Sequence, residues 1–292
     1  MKQSNQKFDV VIPVAKKDTS FVKHVVEYVN RNVIGCENIY ILTNVKNFKR
    51  LKSVGAVPNV KILDENELVP ELDFCIVCEC IKKNGGSINR VGWYFQQFLK
   101  YAFAKSKWAK DYYLTWDADT LSLNPISFFD GDKPLFTKKI EFHEPYFITL
   151  NNILDFGKLV DYSFIAEHMM FKSSIVKELL HSIESNSHTV GSTWVEKIVI
   201  ACDFSDKRGN LFSEFETYGN YCIKYHPNLY GTQLLNTFRA AGLICGRHVS
   251  EKILKRLAMD LSIASFEMQD APFPYNIPWY MEKVKNKLKF FL

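Results

Sequence analysis

FDVVIPV, residues 8–14, is the stretch that decides the fold. It is almost continuously apolar, as expected of a parallel strand that is covered on both faces. Apolar residues at helical spacing follow over residues 21–33, and Gly35 is a typical stop signal for that helix. Two further strand patterns, at residues 38–43 and 60–63, enclose a short basic helix. This alternation of strand and helix predicts a doubly wound α/β fold.

The composition is that of an ordinary globular protein. Of 292 residues, 47% are hydrophobic and 24% are charged, whereas an aromatic content of 14% is unusual. The formal net charge of +5 is too weak to indicate nucleic acid as a partner. No apolar run is long enough to span a membrane, and seven cysteines, an odd number, favour reduced thiols. Together these observations predict a cytoplasmic protein.

Three of the cysteines lie close together in FCIVCEC, residues 74–80. Their spacing could suggest zinc, but a tetrahedral site needs a fourth ligand. The segment is predicted instead to form a buried strand.

The loops after the predicted strands lie on one edge of the sheet, where open α/β folds bind ligands. These loops cover residues 15–18, 43–45 and 64–66. None of them is rich in glycine, so the sequence has neither a dinucleotide-binding fingerprint nor a Walker motif. Residues 89–107 predict a long amphipathic helix whose glutamines and Lys100 either face solvent or reach into a cleft.

An acidic triplet, Asp117-Ala118-Asp119, directly follows the strand pattern of residues 112–116. Two carboxylates at the end of a central strand repel each other unless a cation lies between them. Oxygen ligands suit Mg²⁺ or Mn²⁺, which take their remaining ligands from the phosphates of a substrate. A second D-x-D, residues 130–132, has the sequence of a plain surface turn. The position of the first triplet therefore predicts a site for a nucleoside diphosphate.

Three motifs together resemble glycosyltransferases of the GT-A fold. They are DVVIPV at residues 9–14, GWYFQQFLK at residues 92–100, and the strand that ends in D-x-D. SFIAEHMMF, residues 163–171, and SEFETYGNY, residues 213–221, resemble one bacterial branch of uncharacterised proteins found in surface-polysaccharide gene clusters. The resemblance covers roughly residues 8–230.

The resemblance implies a GT-A-like, mixed and mostly parallel central sheet flanked by helices, with a helical C-terminal extension. The implied catalytic domain covers residues 1–249, with a nucleotide-binding half over 1–120 and an acceptor half over 121–249, and the extension covers 250–292. The implied activity is that of a metal-dependent hexosyltransferase. It would move a sugar from a nucleotide-sugar donor, a UDP-sugar, to a glycan acceptor in the synthesis of bacterial capsule, O-antigen or another surface polysaccharide.

The resemblance also implies roles for individual residues. Asp117 would contact ribose or metal, and Asp119 would hold Mn²⁺ or Mg²⁺ on the donor diphosphate. A late histidine, His248 or alternatively His226, would add a metal ligand. The implied donor-binding residues are Pro13, Val14, Lys16, Asp18, Thr43, Arg90, Gln97, Lys100 and Asp117.

A carboxylate must reach the acceptor hydroxyl if the transfer inverts configuration. Glu214 and Glu216 are the catalytic candidates, at the start of a helix predicted over residues 214–221, where acids are also common because they complement the helix dipole. Glu167 and His168 are the acceptor-binding candidates, although His168 could equally be a core histidine. The chain has no clear E-D-x-x-x-W signature, which leaves inversion and retention both open.

The end of the chain combines basic and aromatic residues. Residues 250–266 predict a helix, and residues 279–292, WYMEKVKNKLKFFL, interleave four lysines with apolar side chains. This pattern favours peripheral contact with the inner face of the cytoplasmic membrane, where a lipid-linked glycan acceptor would be met. A terminal helix packed on the core is the alternative.

Two other functions are compatible with the sequence. A sugar-phosphate nucleotidyltransferase on a similar sheet also positions a nucleotide with metal-bound aspartates. Its loop after the first strand is normally rich in glycine, however, and VAKKD, residues 14–18, is not. A catalytically inactive carbohydrate-binding protein of the same fold is the second alternative.

Overall fold

The computed structural model describes residues 4–247, 249–267 and 281. Its strands are β1 Phe8–Pro13, β2 Val33–Ile34, β3 Cys36–Thr43, β4 Val60–Asp64, β5 Tyr112–Trp116, β6 Thr120–Ser122, β7 Ile126–Ser127, β8 Phe129–Asp130, β9 Lys133–Thr137, β10 His168–Lys172, β11 Gly231–Gln233, β12 Thr237–Phe238 and β13 Ile263–Ser265. Its α-helices are α1 Val22–Asn32, α2 Lys52–Gly55, α3 Phe74–Lys83, α4 Val91–Ala102, α5 Glu144–Leu154, α6 Ser173–Ser185, α7 Trp194–Ala201, α8 Glu214–Tyr225, α9 Ala241–Cys245 and α10 Glu251–Leu257.

A five-stranded sheet in the order β10-β5-β1-β3-β4 lies at the centre. β1, β3, β4 and β5 run parallel, whereas β10 runs antiparallel to β5. Val11 of β1 pairs with Tyr40 on one side and with Thr115 on the other. Every residue of β1 is buried, and because neighbouring side chains of a strand point to opposite faces, both faces of the sheet are covered. The mixed, mostly parallel α/β fold predicted from the sequence is confirmed.

The helices of the first third follow the sequence pattern closely. α1 buries four valines at positions 22, 25, 26 and 29 against the sheet, which is the apolar stripe that the spacing predicts. A seven-residue 3-10 helix, Val45–Leu51, runs into α2 and forms the predicted basic helix. Among the described residues, no helix has both the length and the apolar character that a membrane crossing would require.

Two predictions of secondary structure are wrong. The cysteine-rich segment is the helix α3, because Asp73 caps it by accepting from the Ile76 N–H at 2.7 Å and only Val77 and Ile81 are fully buried. Its apolar run therefore covers one helix face rather than a buried strand. The helix predicted over residues 250–266 ends at Leu257, because the residues of β13 pair antiparallel with β6.

A small sheet in the order β12-β13-β6 lies next to the acidic triplet, since β6 begins one residue after it. The second D-x-D is the tight turn between β8 and β9, where Gly131 takes a φ of +61°. Its two aspartates are exposed. The prediction that this copy is a plain surface turn is confirmed.

Aromatic side chains fill the space between β9 and α8. Phe164 and Tyr218 pack edge-on around Phe136, and Phe136 stacks on Tyr230 with ring centres 3.9 Å apart. Gly219 of α8 lies directly on Phe164, where an added Cβ would be 2.4 Å from the ring. The unusual aromatic content is therefore part of a core that has no room for one more methyl group at this position.

We expect Gly219→Ala to destabilise the protein by about 1–3 kcal/mol, because the Phe164 ring must move to accept the methyl group. Gly92 of α4 provides the matched control, since nothing lies within 4 Å of a Cβ added there. Gly92→Ala should stabilise by roughly 0.5–1 kcal/mol through helix propensity. Urea denaturation measures both free energies, and equal effects of the two substitutions would contradict the close packing.

Candidate functional site

The candidate site lies where β1, β3 and β5 end. The Val14 N–H donates to the Leu42 carbonyl at 2.8 Å, and the Thr43 hydroxyl donates to the Val14 carbonyl at 2.6 Å. These bonds fix the first loop to the end of β3. Asp117 directly follows β5, so the predicted donor-binding positions Val14, Thr43 and Asp117 share the carboxyl edge of the parallel strands.

The backbone of the acidic triplet is held by hydrogen bonds on both sides. The Asp117 N–H donates to the Glu167 carbonyl at 3.0 Å, and the Phe266 N–H donates to the Asp119 carbonyl at 2.8 Å. The Trp116 indole closes the turn by donating to the Thr120 carbonyl at 2.8 Å. The two aspartate side chains therefore project from a braced turn between β5 and β6.

Lys100 of α4 joins two carboxylates at this edge. Its Nζ lies 2.9 Å from Asp117 Oδ1 and 2.7 Å from Glu214 Oε1. Lys100 and Glu214 are buried, whereas the Asp117 side chain is 28% exposed and forms the face of the cluster that solvent reaches. Burial alone would lower the pKa of Lys100, but the Asp117 and Glu214 carboxylates raise it well above its ordinary value. Lys100 is therefore a fixed cation at neutral pH.

Two neighbours of Lys100 on α4 position the start of α8. Gln97 Oε1 accepts from the Glu214 N–H at 3.1 Å, and the Tyr101 hydroxyl donates to the Glu214 carbonyl at 2.6 Å. Ser213 caps α8 by accepting from the Glu216 N–H at 3.2 Å. Burial raises the pKa of Glu214, although Lys100 opposes the shift. The predicted residues Gln97, Lys100, Asp117 and Glu214 are thus brought into one contact network.

Asp119 is largely withdrawn from solvent and lies near three other carboxylates. Burial, followed by the charges of Asp18, Glu267 and Asp117, raises the pKa of Asp119 to about 8. Arg247 opposes this shift, but its guanidinium is already paired with Asp18. A proton on this carboxyl or an added cation beside it would offset the cost of burying its negative charge near other carboxylates.

Glu216 has a different set of partners from Glu214. Its Oε1 accepts from the Ser163 hydroxyl at 2.6 Å and from the Phe164 N–H at 3.1 Å, while Asn220 donates to Oε2 at 3.2 Å. Burial raises the pKa of the Glu216 carboxyl. The side chain is thus an anchor for the segment that leads into β10.

The two predicted acceptor residues are both buried. Glu167 lies 3.8 Å from Lys139 Nζ and 3.4 Å from Arg239 Nε, and these two cations line a cavity of about 550 Å³. His168 bonds Thr137 through Nε2 at 2.8 Å and stacks on Trp116. Burial lowers the pKa of His168 to about 3, so the ring is neutral. His168 therefore has the surroundings of a core histidine, whereas Glu167 lies next to the cavity.

Several predicted residues do not join the network around Lys100. Arg90 is exposed at the start of α4, about 15 Å along the helix from Lys100 at 1.5 Å per residue. Lys16 is exposed and Pro13 is buried at the end of β1. His248 lies outside the described residues. Within those residues, no group of three His, Cys, Asp or Glu side chains is arranged to hold a metal ion.

Sequence reasoning missed four residues around the site. Tyr101 follows Lys100 directly, and Arg247 precedes the histidine predicted as a metal ligand, so each had a sequence neighbour that could have drawn attention to it. Arg239 and Glu267 lie in segments without a recognisable motif. They reach the site only because β13 pairs with β6 and β12 pairs with β13.

We expect Lys100→Met to destabilise the protein by about 3–5 kcal/mol, because Asp117 and Glu214 would face each other without their shared cation. Lys23→Met is the control, since Lys23 is exposed and its pairing with Glu27 should be worth at most about 1 kcal/mol. Adding Glu214→Gln to Lys100→Met should restore part of the loss. Thermal denaturation provides the comparison, and a Lys100→Met protein as stable as the wild type would contradict the assigned role.

Several solved structures that resemble this one are named as glycosyltransferases. One is a galactosyltransferase, LgtC, in complex with donor and acceptor sugar analogues, at 12% identity over 96% of this chain and 94% of that one, with a TM-score of 0.45. GlyE of Streptococcus pneumoniae (12% identity, 94% of this chain and 60% of that one, TM-score 0.44) and mouse xyloside xylosyltransferase 1 (11%, 92% and 100%, 0.47) are others. No curated protein sequence matches. A family model described as a family of unknown function (DUF6492) matches residues 19–245, and the chain belongs to this family.

Proposed function

We propose that the protein is a glycosyltransferase that uses a nucleotide-sugar donor. The observation that carries the proposal is the acidic triplet at the carboxyl end of β5, where the partly exposed Asp117 shares Lys100 with Glu214. This edge is where open α/β sheets bind ligands. The triplet supplies oxygen ligands for a cation and Lys100 supplies a fixed positive charge, and a nucleoside diphosphate requires both.

The charge around Asp119 suits a divalent cation, Mn²⁺ or Mg²⁺. Burial and, after it, three neighbouring carboxylates raise the pKa of Asp119, and a cation held by Asp117 and Asp119 would offset both effects. The sequence adds His248 as a candidate ligand. When bound, the cation would stabilise the negative charge that develops on a departing nucleoside diphosphate. Lys100 contributes a fixed cation next to Asp117, and the braced turn keeps both aspartates in place.

We assign the role of general base to Glu214 in preference to Glu216. Glu214 contacts Lys100 and shares it with Asp117, so it lies within the proposed reaction centre. Burial raises the pKa of its carboxyl, and a raised pKa makes a carboxylate a better acceptor for the proton of a hydroxyl. Both oxygens of Glu216 are engaged by Ser163, Phe164 and Asn220.

The finer predictions from the sequence remain part of the proposal. They are a UDP-sugar donor, a glycan acceptor next to Glu167, a role in bacterial capsule, O-antigen or other surface-polysaccharide synthesis, and a cytoplasmic location. Contact of residues 279–292 with the membrane belongs to the same set, and those residues, apart from Met281, lie outside the described ones.

Calorimetry with UDP and Mn²⁺ tests the donor site. We expect the wild-type protein to bind UDP only when Mn²⁺ is present, and Asp119→Asn to weaken binding by about 100-fold or more, because a carboxylate that holds the cation is lost. Asp132→Asn in the second D-x-D, an exposed turn, is the matched control and should bind like the wild type. Absence of metal-dependent binding, or equal binding by Asp119→Asn, would refute the site.

Glu214→Gln tests the base. A screen of nucleotide sugars for hydrolysis first identifies a donor, and we then expect Glu214→Gln to lower transfer or hydrolysis by about 10²–10⁴-fold while donor binding is kept. Glu144 is also the first residue of a helix but is exposed and paired with Arg208, so Glu144→Gln should leave the rate unchanged. Near-normal turnover by Glu214→Gln would remove it as the base.

A further inference from the structure

The 3-10 helix Val45–Leu51 carries a row of cations on its surface. A 3-10 helix has about three residues per turn, so Lys46, Lys49 and Lys52, which directly follows the helix, line up along one side. Arg50 lies beside this row. All four side chains are exposed. We name Lys46, Lys49, Arg50 and Lys52 together the basic row.

The basic row has a firm support at the carboxyl edge of β3. Leu51 is fully buried on the inner side of the helix. Asn47 is also buried there and donates to the Thr43 hydroxyl at 3.0 Å, and the Asn44 side chain caps the helix by accepting from the Lys46 N–H at 3.1 Å. The cations are thus presented on the same sheet edge as Asp117.

No carboxylate between residues 38 and 63 balances the charges of the basic row. Residues 38–63 contain five lysines and arginines and no aspartate or glutamate. This surplus equals the formal net charge of +5 of the whole chain, so the remaining residues are balanced. Within the part of the chain that the structure describes, none of the four side chains of the basic row makes an ion pair or a hydrogen bond. The basic row is therefore available to an external anionic surface.

The character of the row favours a lipid surface over nucleic acid. Clusters of four or more lysines and arginines are typical of segments that anionic headgroups attract. Val45 adds an apolar side chain that is 51% exposed at the end of the row. Single-stranded nucleic acid would call for aromatic platforms, and the only ring in the segment 45–52, that of Phe48, is partly buried.

We propose that the basic row docks on an anionic phospholipid surface and turns the carboxyl edge of the sheet toward the bilayer. Each cation close to such a surface adds to the attraction, and salt screens it over about 10 Å at 0.1 M. The proposal does not depend on the glycosyltransferase assignment, because it rests on charges outside the cluster around Lys100. It also concerns a different part of the chain from residues 279–292.

Vesicle co-sedimentation tests the proposal with the full-length chain. The probes are phosphatidylglycerol vesicles and phosphatidylcholine vesicles, at low and at high salt. We expect the wild type to bind only the anionic vesicles, and only at low salt. The triple variant Lys46→Gln, Lys49→Gln, Lys52→Gln should bind about 100-fold more weakly, because each lysine contributes roughly fivefold.

A second triple variant removes the same charge elsewhere: Lys82→Gln, Lys83→Gln, Lys177→Gln, three exposed lysines on α3 and α6. It should keep most of the binding, and since residues 279–292 are intact in both variants, their contribution cancels. Equal binding by the wild type and the row variant would overturn the proposal. So would equal losses in both variants, which would indicate net charge alone. The proposal would also be overturned if the wild type did not bind anionic vesicles but bound duplex DNA.

Discussion

The ammonium group of Lys100 brings three separate parts of the chain to one point. From within α4 it pairs with Asp117 at the end of β5 and with Glu214 at the start of α8. Leaving such a buried charge without a partner costs on the order of several kcal/mol. The folded state therefore depends on all three elements being in contact. The pairing of Lys100 with its two carboxylates thus stabilises the carboxyl edge of the sheet in addition to apolar packing. Asp117 is the only member of the trio whose side chain solvent reaches to a substantial extent.

Much of the fold and part of the site could be predicted because the signals are local. The buried strands have continuous apolar runs, and the triplet stands out because it follows one of them. The amphipathic pattern of residues 89–107 left open whether Gln97 and Lys100 face solvent or a cleft. Both are buried and contact Glu214, so the polar residues of that helix were the informative ones.

The rest depends on partners that are distant in sequence. Lys100 and Glu214 are 114 residues apart, and no spacing rule links them. The cysteine-rich segment has an apolar run that fits a strand or a half-buried helix, and the cap at Asp73 decides between them. Likewise, β13 forms where its residues meet β6, which overrides local helix propensity. Glu167 and His168 are adjacent, yet Glu167 lies just before β10 beside Lys139 and Arg239, whereas His168 begins the strand and packs on Trp116.

The hydrogen bonds that brace the acidic triplet have a thermodynamic consequence. Asp117 and Asp119 are attached to backbone whose N–H and carbonyl groups are already paired with Glu167 and Phe266. A ligand that meets these carboxylates need not order a loose loop, so little of its binding free energy is lost to conformational entropy. The same hydrogen bonds mean that substitutions at Asp117 and Asp119 should test the side chains without disturbing the turn. Exchanging their side chains removes oxygen ligands while the main-chain bonds that define the turn remain.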